Sequence, residues 1–334
     1  MKLSSSEHIS SVIQSYLKEL DYRYQNQNNF LGLSTGINSL DKKLGGLRKG
    51  EVILLAARPA MGKTAFAINL SYKIAKSFLE EQKNKSDNNK CVLYFSLEFP
   101  KLRWLQRLFS SKLKLTDIPA YKFYNFEYGS ASYNEFAEIA TIGKGLEELP
   151  IYICDEIFSL KNIEEKINEI HQHNVSFIVI DYLQLIPDNE PPQSILCTTL
   201  MKFIKEIAKK YDVPILVLSQ LNNSPEKRDD HRPMLSDLRE YGNIIPYADK
   251  ILFLYRESYY LELNEPQKYL KETKENFQKR INEWIKRCKE IKDKCEIWIA
   301  KNKYGNCCCT ICFFDKTTGN FKDWEQLDNK RAEF

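Results

Sequence analysis

Residues 51–64 read EVILLAARPAMGKT: an apolar run, then Arg58-Pro-Ala-Met, then Gly62-Lys63-Thr64. The run is the length of a buried strand, and AFAINLSYKIAKSF after it predicts a helix over residues 64–78. A strand that turns through such a loop into a helix is the setting a phosphate-binding loop requires. Backbone N–H groups at the helix start hold phosphate oxygens, helped by the helix dipole. In such a loop Lys63 reaches the β- and γ-phosphates and the Thr64 hydroxyl ligates Mg²⁺. Ala57 stands where the first glycine of the pattern usually falls, so the motif taken alone leaves a second reading, a plain Gly-Lys-Thr helix start.

Strands and helices alternate outward from this stretch. CVLYFSLE (91–98), IYIC (151–154), FIVID (177–181), PILVLSQ (214–220), KILFLYR (250–256) and EIWIAKN (296–302) read as strands, as does NCCCTICFF (306–314). Helices are predicted over 101–113, 133–147, 160–172 and 198–211. Short apolar strands between amphipathic helices predict an α/β fold with a mostly parallel central sheet covered on both faces. Residues 5–22 place Ile9, Val12, Ile13, Tyr16, Leu17 and Leu20 at helical spacing before a polar Gln25–Asn29 linker. So short a helix is marginal alone and is expected to dock on something. Between Leu261 and Cys295, the residues Phe277, Ile281, Trp284, Ile285, Cys288 and Ile291 form a second helical stripe. It reads as an amphipathic surface helix on the body, with a partner- or DNA-facing insertion as the alternative.

Three polar residues end three of the apolar strands. Asp181 closes FIVID at the strand's carboxyl end, where ligands of open α/β sheets sit. A carboxylate there can hold Mg²⁺ through water, the arrangement of phosphoryl-transfer sites; the alternative is a helix cap. Glu98 closes CVLYFSLE and is a candidate base to orient or deprotonate attacking water. Gln220 closes PILVLSQ and can donate through its amide to a γ-phosphate.

The 334 residues are 43% hydrophobic and 28% charged, with a net charge of +4. That excludes a disordered acidic chain, a collagen-like repeat and a pure coiled coil. The mild positive balance neither demands nor excludes nucleic acid. No apolar run reaches the ~18 residues of a membrane helix, and the N-terminus lacks the apolar core of a signal peptide, so a soluble cytoplasmic protein is expected. Among nine cysteines, Cys307, Cys308, Cys309 and Cys312 cluster, and Cys309 with Cys312 makes half a zinc motif with no second half nearby. Small apolar residues on a strand is the preferred reading.

With these residues in place, the chain resembles the RecA-like motor domain of the DnaB-type replicative helicases over about residues 7–326. The resemblance rests on Gly36-Ile-Asn-Ser-Leu-Asp41, Ala56 to Thr64, Phe95-Ser-Leu-Glu98, Ile180-Asp-Tyr-Leu-Gln184, Leu218-Ser-Gln-Leu221 and Ser236-Asp-Leu-Arg-Glu240. Ala57 in the P-loop is usual in that family. The resemblance implies ATP binding by Arg58, Ala60, Met61, Gly62, Lys63, Thr64 and Ala65, and Mg²⁺ held by Thr64 and Asp181. It makes Glu98 the catalytic glutamate and Gln220 the γ-phosphate sensor. It implies a six-membered ring with ATP between subunits, each site completed by the neighbour's Lys301 and Lys303. The family usually has arginine at the second of these positions, and lysine supplies the charge without the bidentate fork. Arg239, Glu240 and Gly242 match the loop that tracks single-stranded DNA, Arg239 at phosphate and the backbone of the others as N–H donors.

The implied activity is ATP-driven 5′→3′ translocation and duplex unwinding in replication, in a bacterial, plasmid, phage or organellar setting. The implied division is a linker helix and linker over residues 1–29 and an ATPase domain over 30–334, with a helical insertion about 261–295. The family's N-terminal collar, which helps engage primase, is not expected here; primase or a helicase loader stays a possible partner. Two rival readings stand: a RecA-like recombination or clock-type ATPase that does not unwind, and an inactive loader-like scaffold.

Overall fold

The computed structural model describes residues 8–25, 31–84, 89–112, 132–156, 159–171, 173–185 and 193–324. The predicted Gln25–Asn29 linker lies largely outside these residues. In chain order the main elements are α1 (Ile9–Gln25), α2 (Asn38–Leu44), β1 (Val52–Ala57), α3 (Lys63–Asn84), β2 (Cys91–Ser96), α4 (Lys101–Lys112), α5 (Tyr133–Leu146) and β3 (Ile151–Cys154). There follow α6 (Leu160–His171), β4 (Val175–Asp181), α7 (Gln193–Lys210), β5 (Ile215–Gln220), β6 (Lys250–Tyr255), α8 (Glu257–Leu263), α9 (Lys274–Ile291), β7 (Lys294–Asn302), β8 (Cys308–Asp315) and β9 (Asn320–Asp323). Short 3₁₀ turns lie between them.

The strands form one sheet in the order β3-β2-β4-β5-β1-β6-β7-β8-β9. From β3 to β6 every pairing is parallel; β7, β8 and β9 extend the sheet antiparallel. Every residue of β1 is buried because alternate side chains meet a different helical layer. Ile53, Leu55 and Ala57 pack with Phe66, Ile74 and Phe78 of α3. Val52, Leu54 and Ala56 face the other way, toward Leu200, Met201 and Ile204 of α7. This is why the strand shows no polar alternation in the sequence.

Two regions depart from expectation. The strand β9 is not among the predicted ones; only one of its four residues is apolar, but that residue, Phe321, is buried and packs against the rings of Phe66 and Phe314. The helix α7 starts earlier than the predicted residue 198. The stripe of α9 meets α8 as predicted for a surface helix: Trp284 Nε1 donates to the Leu261 carbonyl at 3.0 Å, and the helix is capped by Thr273 Oγ1 accepting from Asn276 N–H. Ile285 from that stripe remains 39% exposed. The α1 stripe, from Ile9 through Leu20, is exposed along its length. The cysteine run lies on β8, with Cys312 buried opposite Cys295 of β7. Among the described residues, no helix is long and apolar enough to cross a membrane.

Candidate functional site

Sheet register brings the predicted site residues to one edge. Ala57 at the end of β1 pairs with Gln220 at the end of β5, and Ser96 of β2 pairs with Asp181 of β4. Backbone N–H groups of Leu97 and Glu98 donate to the Asp181 carbonyl at 2.8 and 3.3 Å, which carries Glu98 past the end of its strand beside Asp181. A cavity of about 250 Å³ opens there, lined by Arg58, Ala60, Gly62, Lys63, Thr64, Ala65, Glu98 and Gln220 among others.

The loop between β1 and α3 follows a path its residues permit. Gly62 has φ +100°, and Phe314 and Phe321 sit where its Cβ would lie, at 3.2–3.3 Å. Ala60 takes a left-handed φ of +62°. Met61 is the one sequence-assigned loop residue whose side chain does not line the cavity; it is buried in the core, so any contact with nucleotide falls to its backbone. Lys63 Nζ donates to the Ala57 carbonyl at 3.2 Å. Burial lowers its pKa, opposed by the carboxylates of Asp181 and Glu98 and reinforced by Arg58.

Asp181 is 1% exposed. Its Oδ2 accepts from the Tyr94 hydroxyl at 2.8 Å and its Oδ1 lies 3.4 Å from Thr64 Oγ1. Burial pushes its pKa up to about 6, with Glu98 adding to the rise and the two hydroxyls and Lys63 opposing it. The hydroxyl and carboxylate are hard oxygen donors, a set that suits Mg²⁺. Among the described residues no three His, Cys, Asp or Glu side chains gather into a metal cage. Mg²⁺ does not need one, since it is ordinarily held by one or two carboxylates together with substrate phosphates. Gln184 clamps the neighbouring strand end: its Oε1 accepts from Gln220 N–H at 3.3 Å and its Nε2 donates to Ser219 Oγ at 2.9 Å.

The remaining predicted residues lie elsewhere. Lys301 and Lys303 are at the opposite edge of the sheet: Lys250, which opens β6, pairs with Asn302. A six-residue strand separates them from their own phosphate loop, about 20 Å. Lys301 Nζ is already bound to the Ile245 and Ala248 carbonyls at 2.8 and 2.7 Å, which leaves Lys303, exposed and 3.7 Å from Asp249, as the freer cation. Arg239 and Glu240 are exposed on the 3₁₀ turn Leu235–Tyr241, anchored by the buried Leu238. Gly242 departs from expectation. Its N–H donates to the Arg239 carbonyl at 3.1 Å, so it is not a free donor within this chain. What glycine supplies is a φ of +83° and a close approach to the Ser194 carbonyl that a Cβ would block.

The sequence reading missed Arg107, Phe99 and Tyr182, which line the cavity, and Tyr94 and Arg256, which brace it. Tyr94 sits inside an apolar run and Arg107 on a helix without a motif, so neither carries a local signal. Tyr182 and Gln184 belong to the Asp-Tyr-Leu-Gln stretch, which could have drawn attention to them.

A phosphate-binding loop at the carboxyl edge of this sheet, facing a strand-end carboxylate and a strand-end glutamine, defines a RecA-like P-loop nucleotide-binding domain. The chain belongs to the family described as the DnaB-like helicase C terminal domain, whose model matches residues 32–323. It is 32% identical over 324 residues to the replicative DNA helicase DnaB of Rickettsia bellii, a match covering 95% of this chain and 62% of that protein. It is 31% identical over 266 residues to that of Haemophilus influenzae, covering 78% of this chain and 54% of the relative. The chain spans 62–63% of the length of the Rickettsia relatives it matches. Among solved structures, one described as an ATPase domain superposes with a TM-score of 0.74 at 29% identity, over 96% of this chain and 99% of that one. A DnaB-like replicative helicase, solved in a study of its interactions with primase, gives 0.72 at 27% identity, over 96% and 67%.

Proposed function

We propose that this chain is the ATP-hydrolysing motor of a replicative DNA helicase, working in the cytoplasm or an equivalent replication compartment. One observation carries the reading: Thr64 of the phosphate loop meets Asp181 of β4 at 3.4 Å, beside the cavity lined by Lys63, Glu98 and Gln220. Residues 30–334 are the motor, with α9 as an insertion and α1 as a linker helix whose exposed apolar stripe packs on the next subunit of a homohexamer.

In this proposal Lys63 and the loop N–H groups bind the β- and γ-phosphates of ATP, and Thr64 with Asp181 holds Mg²⁺. Held by these two residues, Mg²⁺ would supply positive charge to offset the negative charge that develops during phosphoryl transfer. Tyr94 orients Asp181 and favours its ionised form through the 2.8 Å hydrogen bond. Glu98 orients the attacking water and takes its proton. Gln220, its backbone held by Gln184, reports the γ-phosphate. Lys303 of a neighbouring subunit supplies positive charge from the sheet's other edge, and Lys301 braces the turn that presents it. Arg239 contacts the phosphates of one DNA strand, a sequence-independent and salt-sensitive interaction. Primase or a loader is a partner to test next.

The test is ATP turnover with and without single-stranded DNA, with particle mass recorded in the same samples. Turnover stimulated by DNA in a hexamer, lost in Lys63→Ala while the circular dichroism spectrum is unchanged, is the expected result. Turnover that survives Lys63→Ala removes the phosphate-loop assignment. DNA-stimulated turnover that never separates a forked duplex reduces the protein to a non-unwinding ATPase.

A further inference from the structure

Glu226 stands between the phosphate loop and the turn that carries Arg239. Arg58, two residues before Ala60 in the loop, donates from Nε to Glu226 Oε1 at 2.9 Å and from Nη1 to the Leu221 carbonyl at 2.8 Å. Arg58 also lines the nucleotide cavity, so a bound triphosphate and Glu226 compete for the same guanidinium. Glu226 itself belongs to a packed 3₁₀ turn, Ser224–Lys227, whose Pro225 is buried. Tyr260 of α8 donates to Glu226 at 3.3 Å and stacks on His231 with ring centroids 4.1 Å apart; a His231 ring nitrogen lies 2.9 Å from the Pro225 carbonyl. Glu226 is thus tied into the packing of the whole turn.

The residue after that turn reaches the other site. Arg228 forms a bidentate pair with Asp237, Nη1 to Oδ1 at 2.8 Å and Nη2 to Oδ2 at 2.9 Å. Asp237 is 1% exposed and accepts from Met234 N–H at 2.8 Å, which caps the turn Leu235–Tyr241 bearing Arg239. Between them Arg232 is fixed to Glu296 of β7 by two bonds of 2.9 and 2.7 Å, a fixed point on the sheet about which the segment can pivot. The segment thus begins at Gln220 and ends at Arg239, with a charged tie at each end and one in the middle.

We propose that Glu226 is a positioning residue that links occupancy of the phosphate loop to the geometry of the single-strand turn, through Arg58 on one side and the Arg228–Asp237 pair on the other. The proposal rests on the motor reading above and specifies a route for its coupling. Nucleotide that draws Arg58 toward phosphate loosens Glu226; the 224–227 turn follows, and Arg228 transmits the change to Asp237. The affinity for DNA then depends on which nucleotide is bound, and the reverse holds by linkage.

The experiment measures single-strand affinity of the full chain with ADP and with a non-hydrolysable ATP analogue, and takes the ratio. Couplings of this type amount to about 5–150-fold. In Glu226→Gln, which keeps the shape and removes the charge, that ratio is expected to fall toward one; because Arg58 is freed for phosphate, KM for ATP is expected to fall as well, and both affinities are measured at saturating nucleotide. Asp237→Asn tests the far end, and the double variant should lose no more than the worse single variant, because both act on one route. A ratio unchanged in either folded single variant, or losses that multiply in the double, overturns the relay and leaves the motor reading intact. A wild-type chain that neither hydrolyses ATP nor binds single strands overturns the motor reading and the relay with it.

Discussion

Arg256 donates from Nη1 to the Ala60 carbonyl oxygen at 3.0 Å, so the residue following β6 holds the crest of the phosphate loop. Its guanidinium is 4.8 Å from the centre of the Phe314 ring, the same ring that packs against Gly62. Burial lowers the Arg256 pKa, and no value within reach of ordinary pH removes its charge. Arg256→Met removes a hydrogen bond from a charged donor, typically about 1.5–3 kcal/mol. The expected outcome is a rise in KM for ATP of roughly tenfold, the equivalent of about 1.4 kcal/mol, with a smaller change in kcat. Steady-state kinetics check this; an unchanged KM means the loop holds its shape unaided.

Gly242→Ala should damage DNA contact without touching nucleotide chemistry. The left-handed φ and the Ser194 carbonyl leave no room for a methyl group. Strain of this kind costs about 1–3 kcal/mol, and moving the turn relieves it at the expense of where Arg239 points. Single-strand affinity by fluorescence anisotropy should drop while DNA-free ATP turnover persists. Unaltered affinity removes Gly242 from the binding turn.

Lys250 and Glu51 form a buried ion pair at 2.6 Å, with side chains 0% and 5% exposed. Lys250 also donates to the Gly46 carbonyl at 2.9 Å. Lys250→Met strands a buried carboxylate, and loss of one partner of such a pair typically costs about 3–5 kcal/mol. The double variant Lys250→Met with Glu51→Leu should recover most of this, short of the bond to Gly46. Urea denaturation compares the three proteins; equal midpoints for wild type and Lys250→Met contradict the assignment.

Lys112 predicts a dependence of stability on pH. Burial and the nearby charges of Lys73, Lys76 and Lys322 lower its pKa from 10.5 to about 7, while its ammonium lies 3.1 Å from the centre of the Tyr72 ring. A lysine whose folded pKa is depressed binds fewer protons folded than unfolded between those values, so its contribution to stability rises with pH from about 7 toward 10.5. Below about 7 the amine is charged in both states and the full penalty applies. Lys112→Met should therefore gain more over wild type at pH 6 than at pH 9 in thermal melts. A gain independent of pH rules out the depressed amine.

Much of the fold and of the candidate site was legible because the signals are local. FIVID and PILVLSQ announce buried strands by their apolar runs; the strands end at Asp181 and Gln220 as predicted, and start within one or two residues of the predicted boundary. Lys63 and Thr64 follow from the loop motif between strand and helix, and Glu98 from the rule that a chemical group at a strand's carboxyl end faces a ligand. The α9 stripe was readable as a docked surface face from its period alone. The small strand β9 was not, because one buried phenylalanine in four residues has no period.

The amino-acid sequence by itself determined the alternating strands and helices, the phosphate loop, and the polar residues that end three strands, because each depends on neighbours a few positions away. Only the tertiary structure decided that Arg256 holds Ala60, that Met61 turns into the core, that Gly242 spends its N–H on Arg239, and that Lys301 is bound while Lys303 is exposed. It also decided that Arg58 meets Glu226 across 168 positions of chain. Contacts at that separation follow from the order β4-β5-β1-β6 and the register between those strands. That order results from burying both faces of the whole sheet at once, and no local spacing encodes it.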